Sequence, residues 1–268
     1  VAPSGMSAKA SAALATRLSI IVSLHAGQAQ RPWHTLLPSA VDIPCPATMP
    51  RIALIHALAH SPAPINEALA RSWPQAQRMN LLDDSLAADL AASGSSLDAA
   101  MHARFERLGD YAVDCGSDAI LFTCSAFGPC IEALARKYPA IPVLKPNEGM
   151  IQDAVALGMR VGLLATFAPT LASMPPEFPP DLVIDTLLVP HALTALDAGD
   201  HQRHDELIAQ AAVELAARGC QVIALAQFSM ARARALVVQR TGLPVLSTPD
   251  SAVALLLRKT LAQAPSHT

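Results

Sequence analysis

The chain has 268 residues, of which 52% are hydrophobic, 15% charged and 4% aromatic, with a net charge of -3. So apolar a composition excludes a disordered chain and suffices for one large domain or two of ordinary size around a sizeable core. Weak charge and scarce rings exclude a nucleic-acid platform, which needs a basic surface and stacked aromatics, and no apolar run reaches the roughly twenty residues of a membrane span.

Residues 1–48 carry Lys9 and Arg17 ahead of a short apolar stretch at 18–24, a loose likeness to an export signal. Pro-rich sequence follows from 31 to 50, and Met49 then runs straight into an apolar strand pattern. Residues 1–48 are therefore expected to be a disordered extension, or a start assigned too far upstream, outside the fold.

From Arg51 short apolar runs alternate with helical stretches. Residues 52–55 read as a strand, and 66–72 as the start of a helix. In 97–114 the apolar residues Leu97, Met101, Phe105, Leu108 and Ala112 keep close to the helical period, and Gly116 follows just past the end. Residues 118–122 read as a buried strand, 129–138 as a helix with Pro129 in its first turn, and 141–144 as another strand. The order then returns. Residues 160–165 mirror 51–56, an amphipathic helix spans 205–218 before Gly219, 221–225 mirror 118–122, and 243–246 mirror 141–144. The three matched strands repeat at offsets of 109, 103 and 102 residues. A last helix at 250–262 is expected to pack back on the first half.

Strand–helix alternation implies mainly parallel sheets covered by helices on both faces. The expected architecture is therefore α/β: two pseudo-symmetric three-layer domains at 49–147 and 148–249, with a C-terminal helix and tail at 250–268. Ligands of open parallel sheets bind beyond the carboxyl ends of the strands. With two halves facing one another, the site falls in the cleft between them, among the loops after Ile55, Phe122, Leu164 and Leu225.

The second of these loops is Thr123-Cys124-Ser125-Ala126-Phe127-Gly128. A thiol beside a helix start meets unpaired N–H groups and the positive end of the dipole, so Cys124 is expected to ionise readily. A plain core cysteine is the competing reading, and polar Thr123 and Ser125 argue against it. In the third loop, Thr166 and Phe167 precede Thr170; the hydroxyls suit helix capping and carboxylate binding equally. In the fourth, Gln227, Phe228 and Ser229 follow the strand, and the repeat sets Gln227 where Cys124 stands in the first half. Glutamine donates and accepts hydrogen bonds but moves no proton. The first loop offers His56, His60 and Ser61 as acid, base or carboxylate partners, or as ordinary structural residues.

The five cysteines, Cys45, Cys115, Cys124, Cys130 and Cys220, are odd in number and lack zinc-site spacing, which fits a reducing, cytoplasmic setting. Cys115 and Cys220 are expected in the core. The cluster from His201 to Glu206 is read as the solvated start of a helix, and Arg232, Arg234 and Arg240 as an exposed helix face. No nucleotide, flavin or metal motif occurs, so neither cofactor nor metal is expected.

Duplicated halves with a strand-end cysteine between them resemble the aspartate/glutamate racemase superfamily, which includes hydantoin racemases, maleate isomerase and arylmalonate decarboxylase. The resemblance covers roughly 50–262. It rests on Asp118-Ala-Ile-Leu-Phe-Thr-Cys124, Ile141-Pro-Val-Leu144, Val161-Gly-Leu-Leu-Ala-Thr166, Gly219-Cys-Gln-Val-Ile-Ala-Leu225 and Leu243-Pro-Val-Leu246. It implies a cofactor-independent isomerase acting on a small carboxylate or amino-acid derivative. Family racemases set one cysteine on each side of the α-carbon. Here Cys124 matches the first, and Gln227 breaks the pattern at the second. Ser229 is the nearby polar substitute, while Thr123, Ser125, Ala126, Thr166, Phe167, His56, Ser61 and Phe228 fall at substrate-binding positions. A one-thiol decarboxylase and a non-catalytic carboxylate-binding protein are the alternatives. The resemblance also implies a homodimer.

Overall fold

Aliphatic runs that bury both faces build the centre of the protein. In the computed structural model, which describes residues 49–94 and 97–263, strand β1 (Arg51–His56) is fully buried from Ile52 onward. It lies between β2 (Gln77–Leu82) and β3 (Ala119–Phe122), and β4 (Val143–Leu144) closes the far edge. All pairings are parallel, with Ile52 opposite Ala119 and Ile55 opposite Phe122. The second sheet repeats the plan: β5 (Val161–Ala165) sits between β6 (Ile184–Leu188) and β7 (Val222–Leu225), with β8 (Val245–Ser247) beside β7. The expectation for 1–48 lies outside the described residues, all of which belong to one compact unit, Pro46–Thr268.

Successive side chains of a strand point to opposite faces, so each sheet needs two covers. On one face of the first sheet, Ile52, Leu54 and Leu121 pack against α1 (Pro62–Ser72) and the C-terminal helix α10 (Thr248–Gln263). On the other, Ile55, Ile120 and Phe122 meet α2 (Ser85–Ala92), α3 (Ala99–Asp114) and α4 (Gly128–Lys137). There Phe105 stacks on Phe122 with ring centroids 5.2 Å apart and leans on Phe127 at 4.8 Å. In the second sheet Leu164, Ile223 and Leu225 face α8 (His201–Ala217) and α9 (Arg234–Thr241). Leu163, Ala165 and Ala224 face α5 (Glu148–Leu157) and Phe178.

The long helices of the two halves are punctuated alike. The carboxylates of Asp98 and Asp200 accept from the N–H groups of Met101 (2.8 Å) and Arg203 (3.0 Å), capping α3 and α8. Gly116 and Gly219 follow their ends at φ +72° and +90°, a region closed to most side chains.

Several elements were not anticipated. Helix α1 starts at Pro62, ahead of 66, and β2, β6, α2, α5, α6 (Ala168–Ser173) and α7 (Ala192–Asp197) carry no expectation from the sequence. The two strands lie on sheet edges and are partly exposed, so their pattern is weak. Among the described residues no helix is long and apolar enough to cross a membrane.

Candidate active site

The chain leaves β3 and β7 in the same way. The N–H of Thr123 donates to Ile55 O (3.0 Å), and that of Ala226 to Leu164 O (2.9 Å), each extending the sheet by one residue. The next residue in each half is Cys124 or Gln227, both extended, at φ -128° and -130°. Main-chain bonding therefore sets these two at equivalent places.

Both line a cleft of about 130 Å³ that draws on both sheets. From the first half come Leu58, His60, Ser61, Thr123, Cys124 and Ser125, with Pro146 and Asn147 after β4. From the second come Phe167, Thr170, Leu193, Asp197, Gln227, Phe228 and Ser229. The His60 ring Nε2 meets Asp197 Oδ1 at 2.8 Å across the two halves. Among the described residues no lysine or arginine lines the cleft.

The half-buried Cys124 thiol does not behave as expected from its place in the chain. Burial pushes its pKa up, and the single opposing influence, the Ala126 N–H directed at the sulfur, is smaller. A 3-10 turn, Ser125–Phe127, separates the thiol from the start of α4. Cys124 thus rests protonated. Cys130 and Cys220 are buried outside the cleft with thiols pushed up to about 11 by desolvation, and Cys115 is partly exposed, also outside it.

Gln227 is committed on one side. Its Oε1 accepts from the Thr166 N–H (2.5 Å) and the Thr166 hydroxyl (2.9 Å). Thr166 is thereby spent on fastening the loop after β5 and does not reach the cleft wall. His56 is likewise displaced from its expected place. It is fully buried behind Thr123, with Nδ1 2.9 Å from the Thr123 hydroxyl and Nε2 3.0 Å from Asn80 Oδ1. Burial lowers its pKa against the opposing Asn80 bond, so the ring is neutral. With Nε2–H donating to Asn80, Nδ1 accepts from the Thr123 hydroxyl, whose lone pairs remain for a ligand. Ala126 contributes its N–H to Cys124 and no lining side chain.

Asn147, Asp197, Leu58, Pro146 and Leu193 complete the walls without having been anticipated. Asn147 sits before α5, where an asparagine in sequence reads as an ordinary helix cap. The His201-to-Glu206 cluster is corrected: the helix begins at His201, so His204 points inward and is fully buried, its Nδ1 2.8 Å from Asp205. Arg232 pairs with Asp205 (2.9 Å), Arg240 with Glu206 (2.9 Å), and Arg234 reaches Asp250 (3.5 Å). No group of three or more metal-ligand residues is gathered among the described residues.

Residues 63–256 match the family model described as Asp/Glu/hydantoin racemase. The chain belongs to the Asp/Glu/hydantoin racemase family. A comparison with curated protein sequences gives no match. Among solved structures, an aspartate racemase homologue from Pyrococcus horikoshii aligns with TM-score 0.63 at 11% identity, over 79% of this chain and 99% of that one. A glutamate racemase from Bacillus anthracis gives 0.61 at 13%, covering 80% and 83%. A variant of arylmalonate decarboxylase with sulfate gives 0.56 at 19%, covering 81% and 95%. At such identities these likenesses establish the racemase-family fold. Within that fold, this member carries a glutamine where the repeat calls for a second cleft thiol.

Proposed function

We propose that the chain is a cofactor-independent isomerase of the racemase type, moving a proton at the carbon beside the carboxylate of a small acid or amino-acid derivative. The observation that carries this reading is that one cleft holds a thiol, Cys124, and an imidazole, His60, braced by Asp197. With Nε2–H donating to Asp197, His60 offers Nδ1 as base, the arrangement by which a carboxylate fixes the working tautomer. The α-hydrogen leaves as a proton to Nδ1, and the C–H electron pair moves into the carboxylate to form an enediolate. The Cys124 thiol then protonates the opposite face. The thiolate–imidazolium pair left behind runs the reaction in reverse. Donors from Ser125, Ser229 and the Gln227 amide nitrogen stabilise the oxyanion.

A second reading draws on the fixed Gln227: with no second thiol, Cys124 acts alone as the acid of a decarboxylation. The C–C electron pair enters the enediolate as carbon dioxide departs, Cys124 protonates the carbanion, and solvent restores the thiol. Incubation in D2O with α-amino acids, hydantoins, maleate and arylmalonates, followed by proton NMR and chiral analysis, separates the readings. The isomerase reading expects loss of the α-proton signal with racemisation, abolished by Cys124→Ala. A shorter acid as product supports decarboxylation, and activity that survives Cys124→Ala overturns both.

A further inference from the structure

Asn147 is the polar side chain in the cleft whose own bonding is unexplained. The residue is 1% exposed, lines the cleft, and has no hydrogen-bond partner for either its amide oxygen or its amide nitrogen among the described residues. It holds the N-cap position of α5, yet its side chain makes no capping bond. Asparagine at that position ordinarily satisfies the helix's first N–H groups, and a buried amide that forgoes them is costly unless a ligand or function uses it. Neighbouring Lys145 does not compete for it: its ammonium is held between Glu132 (2.8 Å) and Glu177 (2.6 Å).

We propose that Asn147 is a specificity-determining residue that reads a neutral carboxamide on the ligand, so that the preferred substrates are small carboxylates bearing an amide. This rests on the cleft being the substrate site. A carboxamide presents one acceptor and two donors, and its complement is a second amide, which pairs with it through two hydrogen bonds. A carboxylate satisfies only the N–H groups and faces the Asn147 oxygen with like charge. Among the described residues the cleft supplies no lysine or arginine to offset a second negative group. The Asp197 carboxylate adds to that bias.

Calorimetric titration with butyrate, succinate and succinamate tests the inference, because the three share a four-carbon chain and differ at its far end. Succinamate is expected to bind wild-type protein about ten-fold or more tighter than either of the others, the difference made by one paired amide. Asn147→Leu, similar in volume, is expected to bring succinamate to no tighter binding than butyrate and to raise the midpoint of thermal unfolding by removing an unpaired buried amide. Asn147→Ala gives the same loss of preference if the leucine variant does not fold. Butyrate binding without a preference for succinamate, or a lowered midpoint in Asn147→Leu, overturns the inference and leaves the cleft reading standing. Failure of all three probes to bind overturns both.

Discussion

Moving a proton from one face of a carbon to the other takes a group on each face, and the proposed chemistry assigns these to dissimilar residues, Cys124 and His60. Cys124 keeps its proton because burial outweighs the one N–H directed at it. His60 is held by Asp197 at 2.8 Å and keeps its second nitrogen for work. His60→Gln retains a polar, uncharged side chain but removes the base. It is expected to cut racemisation on the order of 10²–10⁴-fold, while single-face chemistry at Cys124 persists. Enantiomer interconversion assayed by chiral chromatography, beside product formation from an arylmalonate, provides the check. Equal loss of both activities would show that His60 serves binding rather than the second proton. The position of Cys124 was legible because the thiol stands at a strand end between two polar residues, Thr123 and Ser125, although it also packs against the core of the first sheet. Its proton affinity was not, since that depends on how deeply the folded chain buries the thiol. The place of His56 behind Thr123 was hidden for the same kind of reason, because strand alternation fixes which face a residue takes but not how deep it lies.

The repeat made most of the elements readable. Strands β1, β3, β5 and β7 are buried on both faces and almost wholly aliphatic, so their runs stand out. The edge strands β2 and β6 mix Gln77, Arg78 and Asn80, or Asp185 and Thr186, with partly exposed aliphatics, and give no continuous apolar run to mark them. Helix α5 escaped for another reason: its buried face includes Gly149 and Ala154, small where a helix stripe is usually large. The structure explains the glycine. A Cβ there would collide with the main-chain carbonyl of Ser251 in α10, so the two helices meet backbone to backbone. Because α10 also covers the first sheet while α5 covers the second, this contact couples the two halves. Gly149→Ala is therefore expected to destabilise the fold by roughly 1–3 kcal/mol through overpacking, exceeding the helix-propensity gain of about 1 kcal/mol. Urea unfolding followed by far-UV circular dichroism measures it, and an unchanged or raised midpoint would refute the close contact.

At the scale of the whole molecule, buried titratable groups bound the pH range in which the fold is most stable. Desolvation pushes Cys130 and Cys220 up to about 11 and raises Cys124 as well. Between the unfolded thiol value, about 8.5, and the folded values, the native state holds more protons than the unfolded one. Stability therefore falls as pH rises through that window. His56 acts in the opposite sense. Its lowered pKa means that the native state binds fewer protons below about 6.5, so stability falls as pH drops beneath that value. Asp110 and Asp185 are held low by Lys137 and Arg160, and their contributions are lost only further down, below about 4. Stability should thus form a plateau between about 6.5 and 8.5, with the acid shoulder set by one buried imidazole and the alkaline shoulder by three thiols. Urea midpoints measured across this range would trace the plateau. His56→Gln should flatten the shoulder near 6.5 without moving the alkaline one, and Cys220→Ala should do the reverse. A midpoint that goes on rising above pH 9 would mean that the thiols are solvated, and with that the protonated Cys124 on which the proposed chemistry turns would lose its physical basis.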